Sequence, residues 1–232
     1  MCIAVTEHRF TGDFLPGRTT GPLAANIAYG LGRLGHHSAL VGELSTVADV
    51  DLVMIASGDV VAMLTHAEEC RRLGFPFAVD APSGLSALQM RALIDGAAYV
   101  FSEGEVLTAA TGWSKVELLA HVGTWVVTLG AAGVRLETAG EPPVLVAGPV
   151  NRHDGPDAFR AGFLAGLGWG LSATGAAQVG CVMATHGTQH RPHPDRFLAR
   201  LAEAYGPAAA LAVEPNLRPI RRDEDHWVLG YD

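Results

Sequence analysis

Four side chains able to carry charge or move protons crowd one short stretch. They are Arg152, His153, Asp154 and Asp157, in PVNRHDGPDAFRAGFLAG (149–166). The stretch reads as a loop entering a helix, with Asp157 at the helix start and Phe159, Phe163, Leu164 and Leu167 forming the apolar face behind it. A carboxylate at a helix N-terminus among titratable neighbours is suited to general acid or base work. Asp80 is a second candidate, closing the buried run 75–80 as a pocket wall or as a plain strand-to-turn signal. His186, His190 and His193 lie within eight residues and admit two readings, a metal-ligating group or a solvated loop. Pro192 and Pro194 break helical spacing there, leaving His186 and His190 as the one i, i+4 pair. No G-x-S-x-G elbow, no Walker A loop and no G-x-G-x-x-G following a strand occurs.

Elements that position these residues follow from the apolar pattern. The runs 3–6, 38–42, 51–56, 75–80, 98–102 and 124–129 are short, apolar and rich in Val, Ile, Phe and Ala, as strands covered on both faces are. Helical periodicity fills 23–34, 60–73, 86–94, 106–111, 115–120, 157–168, 174–184 and 194–204. Alternation of the two predicts an α/β fold with a doubly wound, mostly parallel sheet flanked by helices. Ligands of such sheets sit beyond the C-terminal strand ends, here near Thr6, Asp80, Ser102 and Gly130. One domain is expected over 1–212, followed by a polar tail, 213–232, that either frays or docks through Trp227, Val228, Leu229 and Tyr231.

The chain has 232 residues, 49% hydrophobic and 17% charged, enough to bury a sizeable core. Its net charge is −8, and Lys115 is the lone lysine among 16 basic residues, so a broad nucleic-acid-binding face is not expected. Cys2, Cys70 and Cys181 are odd in number and widely spaced, which suits a reducing, cytoplasmic setting. No secretory leader and no membrane span are expected.

Four segments together resemble the ribokinase-like (PfkB) sugar and nucleoside kinases, with wording nearest to bacterial adenosine kinases. GPLAANIAYGLGRLG (21–35) resembles that family's sugar-binding turn and first helix. VFSEGEVLTAATG (100–112) resembles its N-x-x-E region, VVTLGAAGV (126–134) its nucleotide-binding strand and turn, and 149–166 its D-x-T-G-A-G-D-x-F signature. The resemblance implies that Asp157 is the general base for attack of a hydroxyl on the γ-phosphate of ATP. It implies substrate contacts at Asp13, Gly21 and Asn26, and nucleotide contacts at Thr128, Gly130, Gly133, Gly155 and Gln189. Glu105 would help to place Mg²⁺ through water. The partner implied is a nucleoside- or sugar-sized small molecule.

Departures from the family pattern fall on the catalytic parts. Pro156 replaces a residue whose amide would face phosphate, and loss of one such donor costs roughly 10²–10³ in rate. Asp154 adds a negative charge nearby, worth about 1 kcal/mol or more of repulsion; Arg152 and His153 offset part of it. Ser102 stands where the family has Asn, and Pro22 where it has a second Gly. Gly42 reaches Asp51 through eight residues, leaving no room for the family's lid strands. The sequence therefore favours a repurposed small-molecule enzyme of lyase, isomerase or cyclase type. In it, Asp157 would act as acid or base with His153, Asp154 or Arg152, and ATP phosphoryl transfer would be weakened or lost. Two alternatives stand beside it: a working ATP- and Mg²⁺-dependent nucleoside or sugar kinase, and a non-catalytic binding partner. A homodimer covering the lidless sheet edge is also expected.

Overall fold

The computed structural model describes residues 2–6, 23–42, 44, 50–56, 58–148, 155–186 and 192–217, together with the backbone of 227–229. Nine strands among them form one sheet in the order β8-β7-β6-β5-β4-β3-β1-β2-β9. The parallel part comprises β1 (Cys2–Thr6), β2 (His37–Val41), β3 (Leu52–Ile55), β4 (Phe77–Asp80), β5 (Tyr99–Glu103), β6 (Thr124–Thr128) and β9 (Trp227–Leu229). An antiparallel hairpin, β7 (Val134–Thr138) and β8 (Val144–Val146), extends the sheet beyond β6.

Period-two alternation divides the strand side chains between two cores. Ile3, Val5, Leu52, Met54, Ala78, Phe101 and Val126 pack on one face; Ala4, Val53, Ile55, Phe77, Val79, Val100, Trp125 and Val127 pack on the other. The first face is covered by α1 (Leu23–Arg33), α6 (Pro156–Gly168), α7 (Ala173–His186), α8 (Pro194–Tyr205) and α9 (Pro207–Leu217). The second is covered by α2 (Val60–Leu73), α3 (Ala87–Ile94), α4 (Val106–Thr111) and α5 (Lys115–His121). This is the doubly wound arrangement that the alternating pattern predicts.

Local signals set the helix ends. Asp59 caps α2, and Ser86 and Ser114 form capping boxes with Gln89 and Glu117. Helices α6 and α7 meet closely. A Cβ on Gly162 would lie 2.7 Å from the Met183 Cβ and 2.8 Å from the Gly180 Cα. Small residues at this crossing let α6 seat its Phe159 and Phe163 on Phe101.

Four elements lie outside the runs read from the sequence: β7, β8, α9 and β9. β7 is hidden by Glu137, a carboxylate only 2% exposed that pairs with Arg135 and Lys115. α9 runs through Val213 to Leu217, both buried, although the sequence turns polar there. β9 pairs with β2 in register Ser38↔Trp227 through Leu40↔Leu229. The outer edge of β2 is thus paired with the chain's own C-terminal segment.

Candidate functional site

Strand parity decides which strand-end side chains meet α6. Asp80 shares the parity of Ala78, Glu103 that of Phe101, and Thr128 that of Val126, so all three lie on the α6 face. Ser102 has the opposite parity. Its hydroxyl donates to the Gly104 carbonyl at 2.9 Å and accepts from the Trp125 indole N–H at 2.8 Å.

Helix α6 begins at Gly155, whose φ of 115° suits glycine, followed by Pro156 and Asp157. Its N-cap, Gly155, has no side chain with which to cap this end. Pro156 carries no N–H, so the first helical position offers no donor. Asp157, in the first turn, accepts a hydrogen bond at 2.8 Å from the side-chain amide of Asn26, which α1 delivers from 131 residues upstream. The amide holds one carboxylate oxygen and fixes the orientation of the other.

One turn further along, Arg160 enters the interior. It is 7% exposed, and its Nε donates to the Asp80 Oδ1 at 3.0 Å, with Nη2 on the same oxygen. Asp80 is 8% exposed. Burial pushes its carboxyl above the ordinary range; the Arg160 charge and hydrogen bonds oppose this, and the nearby Asp157 charge adds to it. The third guanidinium nitrogen, Nη1, is buried and makes no hydrogen bond.

A cavity of about 160 Å³ opens beside this cluster. Its walls include Glu103, Thr128, Gly130, Gly133, Pro156 and Arg160. The 3₁₀ turn Gly130–Ala132 shapes one side. At Gly133, φ is 103°, and a Cβ would lie 2.1 Å from the Val146 carbonyl oxygen, so only glycine keeps this wall closed against β8. Phe159, Cys181 and Ala184 supply the apolar side.

Of the residues singled out in the sequence, Asn26 and Asp157 are brought into contact, and Asp80 reaches the same helix through Arg160. Thr128, Gly130 and Gly133 line the cavity that Pro156, next to Gly155, also lines. Arg152, His153, Asp154, Asp13, Gly21 and Gln189 lie outside the described residues, as do His190 and Tyr231. Sequence reasoning missed Arg160. Its signal was a lone arginine in an otherwise apolar run, AFRAGFLAG, three residues after Asp157.

Glu105 and Ser102 do not fit a magnesium site. The Glu105 carboxylate is paired with Arg135, and the Ser102 hydroxyl is bonded on the far face of the sheet. Among the described residues, no group of three His, Cys, Asp or Glu side chains is arranged to hold a metal ion. His186 ends α7 with Nδ1 facing the Val182 carbonyl at 3.1 Å, and His193 precedes α8, 62% exposed. No described helix is long and apolar enough to cross a membrane.

No protein-family model matches the chain. Solved structures do resemble it. A nucleoside kinase of Burkholderia thailandensis in complex with inosine superposes with a TM-score of 0.70 at 21% identity, over 89% of this chain and 97% of that one. The Methanocaldococcus jannaschii nucleoside kinase, an archaeal member of the ribokinase family, gives 0.72 at 17% identity, over 87% and 98%. Arabidopsis thaliana ribokinase complexed with ribose and ATP gives 0.60 at 14% identity, over 92% and 98%. At these identities the likeness is one of fold, and the chain has the ribokinase-like α/β fold.

Proposed function

We propose that the chain is a diverged member of the ribokinase-like family. On this reading it is a small-molecule enzyme in which Asp157 acts as general acid or base on a nucleoside- or sugar-sized substrate. The observation that carries this reading is the Asn26–Asp157 hydrogen bond at 2.8 Å. A carboxylate oriented from a separate helix, at a helix start beside a cavity, is placed to exchange a proton with a bound hydroxyl or carbon acid.

We further propose that ATP-dependent phosphoryl transfer is weakened or lost. Phosphoryl transfer needs donors aimed at the developing charge and a metal to neutralise it. Pro156 removes a donor, Arg135 occupies Glu105, and the Ser102 hydroxyl is engaged elsewhere. Gly42 reaches Asp51 through eight residues, too few for the family's lid strands, and an open site would admit water, which disfavours transfer to a substrate hydroxyl. The reactions left to such a site need only proton movement: elimination, isomerisation or ring closure.

A second reading, a working nucleoside or sugar kinase, is favoured by the Thr128–Gly133 wall. It faces the start of α6, where the family resemblance places the nucleotide. Titration with ATP and Mg²⁺, alongside ADP release in the presence of adenosine, separates the two. ATP binding with adenosine-dependent ADP release that vanishes in Asp157→Asn establishes the kinase. No ATP binding supports the repurposed enzyme, with Asp157→Asn as the control for chemistry on candidate substrates.

A further inference from the structure

Arg160 is a buried cation with hydrogen-bonding capacity left over. A guanidinium offers five N–H donors. Its Nε and Nη2 converge on a single oxygen of Asp80, and Nη1 has no partner although it is buried. Buried donors are ordinarily satisfied, and an unsatisfied one on a charged group points to a missing acceptor. Arg160 also lines the cavity at the start of α6, beside the Gly130–Ala132 turn. The N-terminal end of this thirteen-residue helix adds partial positive charge at the same place.

We propose that Arg160 is a ligand-recognising residue of this cavity, whose Nη1 takes an oxygen of a carboxylate or phosphate group on the bound molecule. The proposal rests on the cavity being the substrate site, and it narrows the substrate to an anionic one. Among the described residues, three carboxylates stand near such an anion: Asp157 on α6, Asp80 at the end of β4 and Glu103 at the end of β5. Arg160 is the single cation among the described residues that line the cavity. Asp80 resolves the balance of charge. Its burial already favours the protonated form, and an anion drawn to Arg160 favours it further. Binding of the anion therefore pushes the Asp80 carboxyl further in the same direction, and affinity rises as pH falls.

Calorimetric titration of the intact protein with inorganic pyrophosphate and, separately, with malonate tests this at about pH 6 and pH 8. The expected result is binding of at least one anion, tighter at the lower pH and weakened about tenfold or more in Arg160→Gln. Which anion binds tells a phosphate-bearing from a carboxylate-bearing substrate. Asp80→Asn keeps an oxygen for Arg160 and removes the charge, so it should bind at pH 8 at least as tightly as the parent and lose the pH dependence. Arg160→Lys, which keeps the charge but not the fork, should bind weakly. If Arg160→Gln fails to fold, Asp80→Asn and Arg160→Lys still decide the matter. No binding of either anion to the parent protein, or equal affinity in the parent and the Arg160 variants, overturns the proposal. Asp157→Asn keeps this anion contact even where it ends turnover, so failure of the acid–base reading and failure of the Arg160 assignment give different results.

Discussion

The side-chain amide of Asn26 and the carboxylate of Asp157 meet at 2.8 Å across 131 residues of chain. One sits in the first helix, the other in the first turn of α6, and the bond between them ties the two helices at the point where chemistry is proposed. Asn26→Leu should cost about 1–2 kcal/mol of stability, read from urea midpoints. Asn26→Asp should cost more, because it sets a second negative charge against Asp157. A smaller loss for Asn26→Asp than for Asn26→Leu would show that the amide does not orient the carboxylate.

Arg160 and Asp80 form a buried pair, so cutting either partner leaves an uncompensated charge. Arg160→Met alone should destabilise by about 3–5 kcal/mol, whereas Arg160→Met with Asp80→Leu should recover much of that loss. A double-mutant cycle by chemical denaturation measures the coupling. Additive losses would mean that the two side chains do not interact in solution.

Gly162 lies where α6 crosses α7, with the Met183 Cβ 2.7 Å from the place its own Cβ would occupy. Gly162→Ala should therefore cost about 1–3 kcal/mol through forced separation of the helices, although alanine is the better helix former. A stabilised Gly162→Ala in thermal denaturation would contradict the close packing.

His186 supplies a signed pH effect. Burial holds its imidazole below the ordinary value of 6.5; the Val182 carbonyl opposes the shift and the Arg200 charge supports it. The unfolded chain takes up the proton first as pH falls, so stability is present above about pH 6.5 and is lost as pH drops toward the lower folded value. Urea midpoints measured from about pH 8 to pH 5.5 should fall in the parent and fall less in His186→Gln. Identical slopes would remove His186 as a source of acid sensitivity.

Much of this architecture was legible because the physics behind it is local. Six core strands and eight helices announce themselves by uninterrupted apolar runs and 3.6-residue periodicity. Asp80 and Asp157 stood out as polar residues at element ends, and Asn26 through the family resemblance of 21–35. What stayed hidden depends on partners far away in the chain. β7 carries Glu137 into the interior, which is tolerable only because Arg135 and Lys115 compensate it. β9 becomes a strand only by pairing with β2. Arg160 looks like a solvated helix residue until the parity of β4 brings Asp80 beneath it. The identity of Glu105 was likewise easier to read than its environment: the sequence shows a carboxylate in a metal-type motif, and the structure shows it paired with Arg135.

On the proposed function, Asp157 performs acid–base chemistry in this pocket and ATP phosphoryl transfer is weakened or lost. The most direct test is ADP formation from ATP and Mg²⁺, with and without adenosine, in the parent protein and in Asp157→Asn. No ADP above background in either protein is the predicted result. Adenosine-dependent ADP release in the parent that disappears in Asp157→Asn would contradict the account and establish a working kinase despite Pro156, Ser102 and the Glu105–Arg135 pair.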